Sequence, residues 1–256
     1  MVDISIIFPA YNEAERIGPT LKFFNNYLAS KHISYEIIVV DDGSTDDTVK
    51  LVQSQQAEIP KLFVVALPRN KGKGYAIRAG MLSASGRIRL FSDADGSTPV
   101  EELDKLLEPL KTGKADIVIG SRYLARSEIN KAQPFMRIVW SRFANRIVQK
   151  ILLPGIVDPH CGFKAFRAEA ALKIFPQCQI NEWSFDLEVL ALARSLNLRI
   201  KEVPVKWAND DRSKGRIDQL PKEVYNLYRI KQQLPKQKNR AQLLDLRRKK
   251  QLNIYK

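Results

Sequence analysis

The chain has 256 residues, of which 45% are hydrophobic and 27% charged, a composition that is typical of a folded globular protein and excludes a fibrous or wholly disordered one. No apolar run approaches the ~18–20 residues of a membrane-spanning helix. Two cysteines and two histidines are too few for a disulfide framework or a zinc site, so Cys161 and Cys178 are predicted to be packing residues. The N-terminal MVDISIIFPAYNE lacks the pattern of a signal peptide, which predicts a cytoplasmic protein.

The net charge of +14 is concentrated towards the C-terminus. Residues 212–256 carry 14 basic and 3 acidic side chains, or +11. Such a segment attracts a polyanion, either a nucleic acid or an anionic lipid surface, and charge alone leaves both open. We therefore divide the chain into a body, residues 1–211, and a basic loop with a helical extension, residues 212–256.

Apolar runs alternate with amphipathic segments through the first half of the chain. Five continuous apolar runs, each bounded by turn or charged residues, predict buried strands at 4–8, 35–40, 62–67, 88–91 and 117–119. Four amphipathic segments between them predict helices at 13–30, 46–55, 73–84 and 100–110. This order predicts an α/β fold with a mostly parallel sheet flanked by helices, in which ligands bind at the carboxyl ends of the strands.

Longer helical patterns follow after residue 121. The segment Pro134–Leu153 is predicted to be an amphipathic helix whose Phe135, Trp140 and Phe143 could enter a membrane interface. A solvated or lipid-facing helix side is the simpler interpretation of its basic residues Arg142, Arg146 and Lys150. Helices near 168–175 and 185–196 and a strand near 200–205 complete the predicted body.

Polar motifs directly follow the predicted strands. PAYNE (9–13) follows the first, DDGSTD (41–46) the second, NKGKG (70–74) lies after the third and DADGS (93–97) follows the fourth. In a parallel sheet these motifs meet at one edge. Neighbouring carboxylates repel each other unless a cation neutralises them, and oxygen ligands suit Mg²⁺ or Mn²⁺. An Asp-x-Asp pair can hold such an ion against a diphosphate, so the motifs indicate transfer from a nucleotide diphosphate.

Each motif alone has a simpler interpretation. DDGSTD and DADG are also turn and helix-cap sequences. NKGKG lacks the spacing of a phosphate-binding loop and no Gly-x-Gly-x-x-Gly follows the first strand, which disfavours nucleotide hydrolases and dinucleotide-binding proteins. A nucleic-acid-binding protein, which the basic tail alone suggests, has no use for paired acids. The motifs in this order are more specific than any one of them.

Eight motifs carry a resemblance to a known family: PAYNE, DDGSTD, NKGKG, DADGS, GSRY (120–123), PFMR (134–137), DPHCGFK (158–164) and WSFDLE (183–188). They resemble the motifs of the inverting nucleotide-sugar glycosyltransferases with a GT-A fold. The resemblance covers about residues 1–230, and the later motifs look like those of dolichyl-phosphate glucosyl- and mannosyltransferases. The Gly-Ser after Asp-Ala-Asp looks closer to the glucosyltransferases. The resemblance thus implies transfer of a hexose to polyprenyl phosphate, with UDP-glucose favoured and GDP-mannose as the alternative donor.

The resemblance also assigns roles to individual residues. It implies contacts with the nucleotide sugar from Pro9, Tyr11, Glu13, Asp41, Asp42, Asp93, Ala94, Arg212 and Lys214. It implies that Asp93 and Asp95 hold Mg²⁺ or Mn²⁺, with Asp95 the firmer ligand, while Ser97 stands where some relatives use Gln. The acceptor phosphate is expected to contact Arg122, Arg137 and Lys164, although Lys164 is equally interpreted as a solvated strand residue. Trp183 and Phe185 are expected to be core residues or pocket walls.

Two kinds of acceptor are compatible with inversion. A hydroxyl of a glycan needs a general base, for which Asp186 and Glu182 are the candidates. A lipid phosphate is largely ionised at pH 7 and needs only cations, for which arginine is well suited. Arg122 and Arg137 meet this second need, so we favour Asp95, Arg122 and Arg137 as the catalytic set and polyprenyl phosphate as the acceptor. A lipid acceptor then predicts peripheral docking on an anionic membrane surface and no nucleic-acid partner.

Overall fold

The computed structural model of the protein describes residues 2–131, 145–208 and 225–234. Its strands are β1 (Ile4–Ala10), β2 (Tyr35–Asp41), β3 (Leu62–Ala66), β4 (Ile88–Ser92), β5 (Ile117–Ser121), β6 (Glu128–Lys131), β7 (Phe163–Arg167), β8 (Ile200–Pro204) and β9 (Lys206–Ala208). Within the described residues, seven of them form one sheet in the order β3-β2-β1-β4-β7-β5-β8. Only β7 runs antiparallel to its neighbours, so the predicted mostly parallel sheet is confirmed.

The helices are α1 (Ile17–Ser30), α2 (Thr48–Gln55), α3 (Lys73–Ser83), α4 (Leu103–Lys111), α5 (Ala168–Ile174) and α6 (Phe185–Ser195). Short 3₁₀ helices at Val100–Glu102 and Phe175–Gln177 adjoin α4 and α5, and residues 145–151 and 225–234 are also helical. Where the structure describes them, the predicted elements are confirmed to within a few residues at their ends. Among the described residues, no helix is both long and apolar enough to cross a membrane.

The sheet is buried on both faces, which is why its strands are continuous apolar runs. On β1, Ile6 and Phe8 pack with α1, α2 and α4, whereas Ile7 packs with α3, α5 and α6 on the other face. Cys161 and Cys178 are free and buried, and burial raises the pKa of Cys161 to about 12, which confirms them as packing residues.

The later predictions are covered only in part. Phe135, Arg137, Trp140, Arg142 and Phe143, together with Arg212 and Lys214, lie outside the described residues. The described end of the predicted Pro134–Leu153 helix packs Val148, Leu152 and Leu153 into the core, while Arg146 and Lys150 are exposed, as expected of solvated side chains. The helix at 225–234 buries Leu227 and Ile230 in the same core, so this part of the predicted extension packs on the body.

Two features of the sheets were not predicted. One is the parallel pair β6–β9, and the other is the reversed direction of β7 between β4 and β5. Because β7 is antiparallel, it begins at the edge where β4 and β5 end. The segment 158–162 therefore lies beside the residues that follow those two strands.

Candidate functional site

The loops after β1 and β2 are joined by hydrogen bonds between their motifs. The side-chain oxygen of Asn12 accepts from the backbone N–H of Thr45 at 2.8 Å, and Ser44 Oγ accepts from the N–H of Asn12 at 2.9 Å. The N–H of Glu13 donates to Thr48 Oγ1, and its carboxylate pairs with Arg16 at 2.6 Å. PAYNE and DDGSTD thus form one continuous wall, on which Pro9, Tyr11 and Glu13 lie.

The adjacent aspartates Asp41 and Asp42 have different partners. Asp42 accepts hydrogen bonds from the N–H groups of Lys71 and Gly72, at 2.7 and 2.8 Å, so it holds the NKGKG loop. Asp41 Oδ2 accepts from the N–H groups of Gly43 and Ser44, whereas its Oδ1 is buried and has no partner among the described residues. Asp41 Oδ1 is therefore a buried acceptor at the end of β2 without a partner in the described part of the chain, and we call it the open oxygen of Asp41.

The glycines of NKGKG pack against protein rather than forming a phosphate cradle. A Cβ atom at Gly74 would lie 2.6 Å from Phe185 Cβ and 2.7 Å from the carbonyl oxygen of Ile180. The N–H of Gly74 donates to the carbonyl of Asn181 at 2.7 Å, and the buried Glu188 holds the same segment through the N–H groups of Gln179 and Ile180. Apart from the glycines themselves, no pattern in the sequence indicated this contact.

The Asp-Ala-Asp segment follows β4. Asp93 Oδ1 lies 2.5 Å from Lys73 Nζ, which also lies 4.7 Å from the centre of the Trp183 ring. The backbone and side chain of Ser97 both hydrogen-bond to Asp95. Burial, with the like charge of Asp93, raises the pKa of Asp95 above its usual value. The carbonyl of Ala94 is held by Thr20 Oγ1 at 3.0 Å.

These two carboxylates fit a hard divalent cation. Asp95 is held in a partly buried position beside the like charge of Asp93, which favours a compensating cation, and both donor groups are oxygens. The described residues contain no group of three acidic, histidine or cysteine side chains that could enclose a metal. A pair of carboxylates suits Mg²⁺ or Mn²⁺, because such ions keep several water or phosphate oxygens as ligands.

Gly162 of DPHCGFK lies against the first of these aspartates. Its carbonyl accepts the N–H of Asp93 at 3.1 Å, and a Cβ atom at this position would overlap the Asp93 carboxylate. The glycine is therefore required for Asp93 to occupy its position.

Arg122 follows β5 and is held by a residue that the sequence analysis did not single out. Its Nε and backbone N–H donate to Asp158 Oδ2 at 2.8 and 2.9 Å, and its Nη2 donates to Oδ1 at 2.8 Å. Asp158 is completely buried. Burial alone would raise the pKa of Asp158, but the charge and hydrogen bonds of Arg122 outweigh it and hold that pKa below its usual value. The motif DPHCGFK was the available signal, since it begins with this aspartate.

Lys164 is completely buried on β7, so its interpretation as a solvated strand residue is wrong. Its ammonium group pairs with Asp186 and donates to the carbonyl of Cys161 at 2.7 Å. Because both of these partners already engage the ammonium group, we expect Lys164 to orient Asp186 rather than to contact the acceptor phosphate. Burial lowers the pKa of neighbouring His160 to about 4, which keeps its imidazole neutral.

The carboxyl edge of the sheet thus brings together most of the predicted site. Phe185 is a core residue, as expected, whereas Trp183 is 43% exposed beside Lys73 and forms a wall of the site. The described predicted residues at this edge are Pro9, Tyr11, Glu13, Asp41, Asp42, Asp93, Ala94, Asp95 and Arg122.

Comparison with known proteins agrees with this architecture. Residues 5–175 match the family described as Glycosyl transferase family 2. The chain belongs to glycosyl transferase family 2. Relatives of this family 2 chain include proteins named dolichyl-phosphate β-glucosyltransferase from Dictyostelium discoideum, 38% identical over 82% of this chain and 68% of that protein, and from Drosophila melanogaster, 38% identical over 83% and 69%. The protein of that name from Mus musculus is also 38% identical, over 82% and 69%.

Solved structures share the fold of this family 2 chain at low identity. Glucosyl-3-phosphoglycerate synthase from Mycobacterium tuberculosis, crystallised with Mn²⁺, UDP-glucose and phosphoglyceric acid, has a TM-score of 0.67 at 20% identity, covering 93% of this chain and 80% of that one. TarS 1–349 from S. aureus has a TM-score of 0.59 at 18% identity, covering 90% and 64%. The expected GT-A fold is confirmed.

Proposed function

We propose that the chain is an inverting glycosyltransferase that moves glucose from UDP-glucose to dolichyl or another polyprenyl phosphate. The observation that carries the proposal is the 38% identity, over 82% of the chain, to a protein named dolichyl-phosphate β-glucosyltransferase. The site supports it, because a pair of carboxylates and a fixed arginine lie at one edge of the sheet. The donor diphosphate and the acceptor phosphate are both anions. A cation held by the carboxylates would offset the charge of the first, and the arginine would offset the charge of the second.

The open oxygen of Asp41 supports a uridine nucleotide. Uracil presents a single N–H donor, at N3, whereas guanine presents adjacent donors at N1 and N2. Asp41 Oδ2 is occupied by two backbone N–H groups, so only Oδ1 can accept from a base. One open oxygen matches the single donor of uracil, while guanine would match a carboxylate with both oxygens open. This favours UDP-glucose over GDP-mannose as the donor.

Asp93 and Asp95 would hold Mg²⁺ or Mn²⁺ beside the diphosphate. The ion, when bound, supplies positive charge that stabilises the nucleoside diphosphate as a leaving group. Lys73, paired with Asp93, adds a further cation at this position. Arg212 and Lys214 remain proposed diphosphate contacts outside the described residues.

The partners of Asp186 support a phosphate rather than a hydroxyl as the acceptor. A hydroxyl needs a base, but the carboxylate of Asp186, a candidate for that role, is paired with the buried Lys164. A phosphate monoester has a second pKa of about 6, so it is largely ionised at pH 7 and attacks without a base. We assign Arg122 and Arg137 to the acceptor phosphate, whose oxygen attacks the anomeric carbon as the nucleoside diphosphate leaves.

A polyprenyl acceptor lies in a bilayer, and we propose that the protein docks on an anionic membrane surface from the cytoplasmic side. The outer face of residues 225–234 supports this, because Tyr225 and Tyr228 are 64% and 62% exposed beside the exposed Lys231. Tyrosine next to basic side chains is typical of a membrane interface.

Sedimentation with vesicles containing anionic lipid tests this docking. Replacing Tyr225 and Tyr228 together by serine should reduce binding, whereas Phe23→Ser, an equally exposed aromatic position at 67% on the other face of the sheet, should not. Absence of binding by the unaltered chain at low salt would contradict membrane docking, and a preference for DNA over vesicles would support the nucleic-acid alternative.

The reaction itself is tested with radiolabelled UDP-glucose and GDP-mannose, each with and without a short polyprenyl phosphate. We expect lipid-linked glucose only from UDP-glucose with the lipid. Lipid-linked mannose would assign the chain to the mannosyltransferases. Transfer to a glycan hydroxyl without the lipid would refute the proposed acceptor.

A further inference from the structure

The ion pair of Arg122 has a counterpart at the opposite edge of the sheet. In each pair an aspartate Oδ2 accepts the backbone N–H and Nε of an arginine, and Oδ1 accepts Nη2. Asp158 holds Arg122 in this way at 2.8–2.9 Å, and Asp116 holds Arg199 at 2.8–3.0 Å. The same geometry therefore occurs once at the proposed site and once far from it.

The surroundings of the two pairs differ. The side chain of Arg199 is 57% exposed, whereas that of Arg122 is 14% exposed and Asp158 is completely buried. A buried ion pair seldom stabilises a fold more than apolar residues of similar volume, because desolvation offsets the attraction between the charges. The charge of Arg122 is thus better explained by a use at the site than by stability.

A second carboxylate fixes the loop that carries Asp158. Glu202 on β8 accepts the N–H of Val157 at 2.8 Å and the N–H of Asp158 at 2.9 Å, so both of its oxygens are engaged. The contacts run in series from β8 through Glu202 to the loop, and from the loop through Asp158 to Arg122.

The guanidinium of Arg122 also lies close to two aromatic rings. The ring centres of Tyr123 and Trp207 each lie 5.4 Å from its Cζ atom. Nε and Nη2 are engaged by Asp158, and Nη1 has no acceptor among the residues that the structure describes. Nη2 also keeps its second N–H group, so Arg122 offers an anion its end-on edge, where Nη1 and Nη2 can donate two parallel hydrogen bonds to a phosphate.

We infer that Asp158 and Glu202 are positioning residues that hold Arg122 so that its end-on Nη1/Nη2 edge receives the acceptor phosphate. The inference rests on the proposed function, which takes Arg122 as the contact of that phosphate. Since Asp158 neutralises much of the charge of Arg122, a dianionic acceptor needs a second cation.

The test measures the KM for a short polyprenyl phosphate, the kcat and the affinity for UDP in three variants. Asp158→Asn should raise the acceptor KM about 10- to 100-fold, because a displaced binding group loses its alignment. Glu202→Gln should raise it about three- to tenfold, since one of two hydrogen bonds to the loop is lost. UDP affinity, measured by calorimetry, should stay within about twofold in both. The control Asp116→Asn breaks the matching pair and should leave the acceptor KM unchanged.

A double-mutant cycle separates positioning from a general loss of structure. In an Arg122→Ala background, which itself raises the acceptor KM, Asp158→Asn and Glu202→Gln should each have no further effect on that KM. A further rise in that background overturns the inference, as does an unchanged acceptor KM in Glu202→Gln. If Asp158→Asn does not fold, the Glu202→Gln arm decides alone.

The outcome for the unaltered chain separates the two proposals. No transfer to polyprenyl phosphate refutes the proposed function. Transfer that depends on Arg122 but on neither carboxylate refutes the positioning role and leaves the function intact.

Discussion

Replacing Asp41 by asparagine tests how the site recognises the base. In the unaltered protein, Asp41 Oδ2 accepts hydrogen bonds from the N–H groups of Gly43 and Ser44 at 3.1 and 3.0 Å. The amide oxygen of Asn can accept the same two hydrogen bonds, which leaves the amide NH₂ at the place of the open Oδ1. A donor would then face the N3–H donor of uracil. Loss of one charge-assisted hydrogen bond is worth ~1.5–3 kcal/mol, so UDP affinity should fall about 10- to 100-fold.

The same substitution should improve binding of CDP, because N3 of cytosine is an acceptor and matches the new NH₂ group. Calorimetric titration of UDP and CDP in the presence of Mn²⁺ measures the ratio directly. Asp42→Asn is the matched control, since both oxygens of Asp42 bind the NKGKG loop, and it should lower stability without reversing the ratio. A ratio of UDP to CDP affinity that is unchanged in Asp41→Asn would refute base recognition by Asp41.

Three further predictions concern the Asp-Ala-Asp segment. Asp95→Asn should abolish transfer and chelation should do so reversibly, whereas full turnover in excess EDTA would contradict metal dependence. Lys73→Met removes the cation that pairs with Asp93. Mn²⁺ titrated without nucleotide should then bind about two- to fivefold more tightly, while kcat falls. An unchanged Mn²⁺ affinity would show that Lys73 does not compete with the ion. Gly162→Ala should weaken Mn²⁺ binding about tenfold or more, because the methyl group of the new alanine displaces the Asp93 carboxylate. Normal Mn²⁺ binding would show that Asp93 has room to move.

The sequence predicted the strands well because a sheet buried on both faces needs continuous apolar runs, as in Tyr35–Asp41. It did not predict the direction of β7, since the apolar pattern of Phe163–Arg167 is the same for a parallel and an antiparallel strand. The pair β6–β9 was missed because strands of four and three residues carry too little pattern to recognise.

At the site, the motif order predicted which loops meet but not which polar atoms bind each other. Asp42 was expected to face the nucleotide, yet both of its oxygens bind the NKGKG backbone. Asp158 received no role, although it binds Arg122 across 36 residues of sequence. Residue type limits the hydrogen bonds that a side chain can make, and the partner is then chosen by distances that only the folded chain fixes.

The contact between NKGKG and the segment before α6 makes two distant parts of the sequence interdependent. Gly74 donates to the carbonyl of Asn181, and Arg78 donates to the carbonyl of Cys178 at 2.6 Å, 100 residues further along the chain. A side chain larger than hydrogen at position 74 would force Phe185 and the backbone at Ile180 and Asn181 to move with it. Recombination between family members should therefore exchange residues 70–78 and 178–188 as a single block, and a hybrid that takes them from different parents should lose the wall beside Lys73.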